Sequence, residues 1–369
     1  MLPLNWQRVR LGDIGKPCMC KRVMKHQTTR YGEIPFYKIG TFGNTADAFI
    51  SKKLFLEYKT KYSFPKKGDI LISASGTIGR AVIYDGKPAY FQDSNIVWID
   101  NDETLVKNDF LFYAYSNVKW NTEHTTILRL YNDNFRNTLI PLPPLNEQIA
   151  IANILSALDH YLYALDALIL KKESVKKALS FELLSQRKRL KGFNQAWQRV
   201  RLGDIANYLT SNLSVEQITQ QGKIKVYDVN NFIGYTDTTF ISDKPYISIV
   251  KDGSVGRVRI LPPKTNILST MGALIANHRT TTEFLFYLLS NFDFKNFTSG
   301  SIIPHIYFKD YKEKTIFLPP LNEQIAIANI LSDLDNEIAS LKNKKRQFEN
   351  IKKALNHDLM SAKIRVLKK

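Results

Sequence analysis

The chain has little cysteine: two residues, Cys18 and Cys20, in 369. Thiols that close together cannot build a disulfide framework, so a reducing, cytoplasmic setting is expected. No run of about 18 apolar residues occurs, which leaves no candidate for a membrane-crossing helix. The opening MLPLNWQRVRLGDI lacks the apolar centre of a signal peptide. Six histidines show no HExxH spacing, and a lone Cys-x-Cys has no second pair, so no metal site is expected. There is no Walker A sequence for ATP. Both Pro-Pro segments read LPPL rather than the Asp/Asn-Pro-Pro-aromatic of an adenine methyltransferase. A chain without these motifs is expected to be non-catalytic. One alternative remains: Asp47, Glu57 and Lys59 have the spacing of a D…ExK metal-dependent DNA nuclease, although Ala46 replaces the usual proline and the pattern occurs once.

Acidic residues are the other shortage. Lys plus Arg number 52 against 34 Asp plus Glu, a net charge of +18. Fourteen of those charges sit in two short segments: residues 171–191 carry 8 basic and 2 acidic residues, and residues 342–369 carry 10 and 2. Two such clusters point to a polyanionic partner, nucleic acid before an anionic membrane surface. The 44% hydrophobic content, with 21 Phe and 18 Tyr, is enough to bury real cores, and the length suits two domains.

The chain repeats itself. WQRVRLGDI occurs at Trp6–Ile14 and at Trp197–Ile205, and LPPLNEQIAIANILS at Leu142–Ser156 and at Leu318–Ser332. Weaker matches lie between them in the same order. IPFYKIGTF (Ile34–Phe42) parallels IKVYDVNNF (Ile224–Phe232), SGTIGR (Ser75–Arg80) parallels DGSVGR (Asp252–Arg257), and ILRLYND (Ile127–Asp133) parallels IPHIYFK (Ile303–Lys309). The ends of each copy are nearly identical and the middles diverge. The reading is four segments: globular domains at 1–142 and 193–318, and helices at 143–192 and 319–369. The fold class is α+β.

Pro143 and Pro144 forbid helix upstream, Asn146 is the expected N-cap, and Glu147 lies in the first turn. Apolar residues then fall at Ile151, Leu155, Leu158, Leu162, Leu165 and Ile169, the 4-3-4-3-4 spacing of a coiled-coil seam. Ile327, Leu331, Leu334, Ile338 and Leu341 repeat it, and Lys345, Phe348, Ile351, Leu355 and Leu359 continue less regularly. The first helix is expected to stop near Gly192 after roughly 44 residues, a rod of about 65 Å. Such a narrow stripe calls for a partner, and chain order favours antiparallel pairing with the other copy. Packing of each helix on its own globular segment is the alternative.

Both globular segments read as short strands joined by glycine-containing turns. Ser75, Thr77 and Arg80, and Asp252, Ser254 and Arg257, lie in the two clearest turns and could reach phosphates or base edges. Tyr37, Lys38, Thr41, Lys52, Lys53 and Arg129 join them as candidates in the first copy. Tyr227, Asn230, Asn231, Lys251 and His305 do so in the second.

These residues, the duplicated WQRVRLGDI and the PLPPLNEQ helix start above all, resemble the specificity subunit of type I restriction–modification systems. The resemblance spans nearly the whole chain. It implies two target-recognition domains that each read half of a bipartite DNA site, and two long helices in an antiparallel coiled coil with pseudo-two-fold symmetry. It further implies docking of two modification subunits and of restriction/translocase subunits. S-adenosylmethionine, ATP and magnesium would then belong to those partners and not to this chain. A specificity subunit of a related fused restriction enzyme is the nearest variant.

Overall fold

The computed structural model describes residues 3, 5–124 and 128–366. Met1, Leu2 and Leu4 of the N-terminal reading, Ile127 of the ILRLYND motif, and Lys368 and Lys369 of the second basic cluster lie outside the described residues. The chain forms two compact units, Met1–Leu165 with Lys344–Lys369, and Asp166–Asn343. Each unit therefore holds one globular segment, the start of the helix that follows it, and the end of the other helix.

In the first unit a four-stranded antiparallel sheet runs in the order Gly15–Met19, Ile96–Asn101, Ile70–Ser73, Ala81–Ile83. A three-stranded sheet places Ile34–Tyr37 between antiparallel Phe49–Ile50 and parallel Tyr90–Phe91. The second unit repeats both sheets strand for strand. Ala206–Thr210, Met271–Ala276, Tyr246–Val250 and Val258–Leu261 form the four-stranded sheet, and Ile224–Tyr227 lies between Phe232–Thr236 and Asn266–Ile267. The middles of the copies have diverged in sequence but not in topology.

The identical ends build the frame of each unit. Gln7–Arg10 pairs with Leu139–Leu142, and Gln198–Arg201 pairs with Thr315–Leu318, in the same register. The fully buried Leu11 and Leu202 follow at once, and Asp13 and Asp204 accept the backbone N–H of Arg10 and Arg201. Both ends of each globular segment are thus clamped together, directly before the Pro-Pro that starts each long helix.

The first long helix is Leu145–Leu184 and the second is Leu321–Met360. Asn146 is not the N-cap: it lies inside the first turn, where its Oδ1 accepts the Glu147 N–H. Gln148 secures the entry instead. Its Nε2 donates back to the Pro143 and Leu105 carbonyls, and its Oε1 accepts the Lys107 N–H. Gln324 does the same with Pro319, Arg279 and Thr281. The first helix ends at Leu184, short of Gly192. Gln186 turns to a φ of 61° and the Lys188 N–H closes on the Glu182 carbonyl, which stops the helix. The cations after Gln186 consequently lie on a connecting turn.

Packing combines the two alternatives. Ile151, Ala152 and Leu155 sit in the core of the first globular segment, and Ile327, Ala328 and Leu331 in that of the second. Beyond them the helices meet each other. In the first unit Asp159 pairs with Lys352 and the Tyr161 ring lies 4.7 Å from Phe348. In the second, Lys172 pairs with Glu337 and Lys176 with Asp335. Partners step down one helix as they step up the other. Lys352, not Ile351, faces this contact, and Ile351 is half exposed. Tyr113 and Tyr287 each donate a hydroxyl to the shared aspartate, at 2.8 and 2.9 Å. Burial first, and then that carboxylate, raise both phenols, so they remain donors.

Each frame closes on one buried carboxylate. Glu147 is 2% exposed and takes the Trp6 indole N–H at 3.0 Å and a two-pronged guanidinium from Arg365 at 2.6 and 2.9 Å. Glu323 takes Trp197 at 2.9 Å and Arg189 at 3.2 and 2.6 Å. Arg189 follows the first long helix and Arg365 follows the second, so each unit is locked by the tail of the helix that began in the other.

Arg365→Ala leaves the Glu147 carboxylate, 2% exposed, without its counter-charge, and removing one partner of a buried pair costs about 3–5 kcal/mol. Denaturant unfolding should show that loss in the first unit, whereas Glu349→Gln, at an exposed i,i+4 pair, should cost under about 0.5 kcal/mol. Equal, small losses would contradict the locking role. Burial also pushes the Cys20 thiol up to about 12 and raises Cys18. Alkylation of Cys20 at pH 8 should therefore be roughly a thousandfold slower in the folded than in the unfolded chain. Mass spectrometry finding equal rates would contradict its place in the core.

Candidate nucleic-acid interface

In the first unit, strand Ile70–Ser73 runs into the SGTIGR turn and returns as Ala81–Ile83. Gly76 and Gly79 both need positive φ, 65° and 83°, and a Cβ on Gly79 would come within 2.0 Å of the Trp120 indole nitrogen. The second unit repeats this: Gly253 and Gly256 have φ of 81° and 78°, and a Cβ on Gly256 would meet Phe294 at 2.6 Å. These glycines are structural. They lift Thr77 and Ser254 to exposed positions at the tips.

A second segment docks beside each turn. Ser75 bridges to Arg129, and the Leu130 N–H reaches the Ala74 carbonyl at 2.9 Å. In the other unit Asp252 bridges to His305, and the Ile306 N–H reaches the Lys251 carbonyl at 2.9 Å. The ILRLYND and IPHIYFK segments therefore occupy corresponding places, with unlike side chains.

The candidates divide on this geometry. Ser75 is buried and its hydroxyl donates to Asn95 Oδ1 at 2.7 Å, so it supports the turn from within. Thr41 closes a local turn by accepting the Lys38 N–H at 3.1 Å. Lys38 pairs with Asp47 at 2.8 Å. Tyr37 stacks on Phe91. Arg80 reaches back to the Gly43 carbonyl and Asn44 Oδ1 at 3.4 and 3.3 Å, joining its turn to the loop after Ile34–Tyr37. Arg257 matches it in sequence but is exposed and has no side-chain partner among the described residues. Its tethering role passes to Arg259, which donates to the Asn230 carbonyl at 2.9 Å and lies over the Tyr227 ring.

Arg259 was not among the candidates because the GR of DGSVGR drew the match two residues earlier. The exposed loop carrying Asn230 and Asn231 is shaped by Asp228, which accepts both backbone N–H groups. Lys251, Ser254, Arg257 and His305 are brought together around one turn, with the Asn230–Asn231 loop joined through Arg259. Ser75, Thr77, Arg80 and Arg129 gather likewise, with Lys38 and Thr41 joined through Arg80. Lys52 and Lys53 stand apart on the exposed first turn of helix Lys52–Lys61, capped by Ser51, with no side-chain partner among the described residues.

The residues of the nuclease alternative are engaged separately. Asp47 pairs with Lys38, Glu57 with Lys61, and Lys59 lies over the rings of Phe55 and Phe64. Among the described residues no three His, Cys, Asp or Glu side chains are grouped to hold a metal ion, and no helix is long and apolar enough to cross a membrane.

Comparison with known proteins agrees with the duplication. The sequence profile described as Type I restriction modification DNA specificity domain matches residues 3–173 and again residues 194–350. The MjaVIII type I restriction enzyme specificity subunit of Methanocaldococcus jannaschii is 26% identical over 99% of this chain and 94% of its own length. A putative type I restriction enzyme specificity subunit of Haemophilus influenzae is 62% identical, over 41% of this chain and 40% of that relative's length. The solved S subunit of a type I restriction–modification system from M. genitalium has the same fold, with a TM-score of 0.64 at 20% identity over 97% of this chain and 98% of that one. A second solved chain, from work on complex assembly and conformational transition of the type I R-M system, gives a TM-score of 0.57 at 16% identity over 98% of both chains. With two profile matches covering nearly all of both copies, the chain belongs to the type I restriction–modification DNA specificity family.

Proposed function

We propose that this chain is the DNA-reading subunit of a type I restriction–modification complex, and that each unit reads one half of a bipartite, asymmetric target. The observation that carries this reading is the pair of equivalent turns on equivalent sheets that present unlike side chains: Ser75 with Arg129 in one unit, Asp252 with His305 in the other. A common frame with unlike tips suits unlike half-sites. Lys52, Lys53, Lys251 and Arg257 supply phosphate contacts and salt-dependent affinity. Thr77, Arg129, Asn230, Asn231, Ser254 and His305 face base edges in the major groove, where Arg suits guanine and Asn suits adenine. Lys38, Thr41, Ser75 and Arg80 hold those readers in place.

The two long helices, each 40 residues and each running from one unit into the other, support an antiparallel coiled coil of about 60 Å as the element that sets the gap. Two modification subunits and restriction/translocase subunits dock on this frame. S-adenosylmethionine, ATP and magnesium act on those partners, and this chain contributes recognition without chemistry of its own.

Selection from a random duplex pool by the full chain with its modification subunits tests the reading. Two unlike blocks at a fixed separation are expected; one block, a palindrome or no enrichment would refute it. Deleting one heptad from each long helix should shorten the separation by about 10 Å, or about 3 base pairs. An unchanged separation would show that the helices do not set it. Arg257→Ala should weaken binding and lower the salt slope by about one. An unaltered salt dependence would remove Arg257 from the phosphate contacts.

A further inference from the structure

The two docked segments put different nitrogen-bearing side chains at one structural position. In the first unit that position holds Arg129, opposite the neutral Ser75. In the second it holds His305, opposite Asp252, and here the side chains bond: His305 Nδ1 lies 2.7 Å from Asp252 Oδ1. The main chain that carries the imidazole is pinned on both sides. The His305 N–H and carbonyl pair with Ser299 at 2.7 and 2.9 Å, and the next residue pairs back to the Lys251 carbonyl at 2.9 Å. Its ring stacks on Tyr307, with planes 21° apart. Asp252 therefore fixes the tautomer: Nδ1 donates to the carboxylate, and Nε2 has no partner among the described residues. The side chain remains 37% exposed.

The charged and titratable groups around the ring are few. Asp252 and Lys251 come from the turn. Tyr307 comes from the segment itself, with the Lys309 ammonium over that ring at 5.4 Å. Tyr208, from strand Ala206–Thr210, is partly buried and feels the Asp252 charge. With Nδ1 committed to the Asp252 carboxylate, a proton added to the ring sits on Nε2, the nitrogen left free to meet an acceptor. A protonated His305 presents an Nε2–H donor where the first unit presents the permanent donors of Arg129.

We infer that His305, oriented by Asp252, is a proton-coupled specificity residue: the second unit takes up a proton when Nε2–H donates to an acceptor on the DNA, whereas the first unit, with Arg129 at the same place, does not. This rests on the proposed DNA-reading function. It assigns the second half-site a base-edge acceptor, a guanine O6 or N7, opposite His305.

The sign follows from linkage. A group that binds a proton only in the complex strengthens binding at low pH, and affinity falls as pH rises, by up to about tenfold per unit for one proton.

The test uses the full chain with its modification subunits and a duplex carrying both selected blocks, from pH 5.5 to 8.5 at constant salt. A duplex with the second block scrambled serves as comparison. Wild-type affinity for the intact duplex should fall with pH, and affinity for the scrambled duplex should stay nearly flat. His305→Gln should flatten the profile. His305→Arg should restore tight binding and keep it flat, because it copies the first unit and keeps a donor. Asp252→Asn should reduce the slope, because an amide no longer commits Nδ1 as the donor and the ring loses its fixed orientation. A flat wild-type profile, or an unchanged slope in His305→Gln, overturns the proton-coupled role while specific binding itself upholds DNA reading. If the wild-type complex selects no duplex at all, the DNA-reading function fails, and this inference fails with it.

Discussion

A carboxylate taken out of water must be met by donors, and in each unit one glutamate imposes that condition. Glu147 and Glu323 lie almost wholly buried, and each is satisfied by the indole of the entry strand and the fork of an arginine that follows the other long helix. Leaving either charge unpaired would cost several kcal/mol. The entry strand, the helix start and the returning helix tail therefore have to assemble together or not at all. Gln148 and Gln324 add a second set of bonds at the same corner. The frame of each copy is specified there by a few polar contacts, which frees the sheets above it to change.

That freedom shows in how pairs have been exchanged. Where the helices meet in the second unit, Lys172 and Glu337 form an ion pair; the corresponding contact in the first unit is the Tyr161–Phe348 ring pair. The shared Tyr–Asp–Lys contact next to it, Tyr113–Asp159–Lys352 and Tyr287–Asp335–Lys176, is kept in both. The tether of the recognition loop passes from Arg80 to Arg259, two residues further along its strand. The geometry of each unit survives because the position of a contact, more than its chemistry, holds the fold. At the turn tips the chemistry changes as well, from Ser75 and Arg129 to Asp252 and His305.

Much of this was legible in the residues. Two exact repeats revealed the two copies, Pro-Pro marked where each long helix starts, and the apolar spacing marked most of the helical seam. The misses share a cause. Trp6, Glu147 and Arg365 meet across separations of 141 and 218 residues, and no local pattern connects them. Asn146 looked like the cap because its type favours that role, while the long-range bonds of Gln148 decided the corner. Gln186 adopts a positive φ that its residue type does not advertise, so the first helix outlasted its true end in the reading. Ser75 looked like a surface hydroxyl because nothing in SGTIGR foretells its partner at Asn95.

The account comes down to one chain reading two unlike stretches of DNA through two units of common design. Genome-wide mapping of methylated adenines, in cells with and without this chain, tests that most directly. The account predicts a set of adenines whose methylation depends on the chain and whose surroundings share two different short blocks at a constant spacing. Methylation that is indifferent to the chain, or that follows a single uninterrupted block, would contradict it.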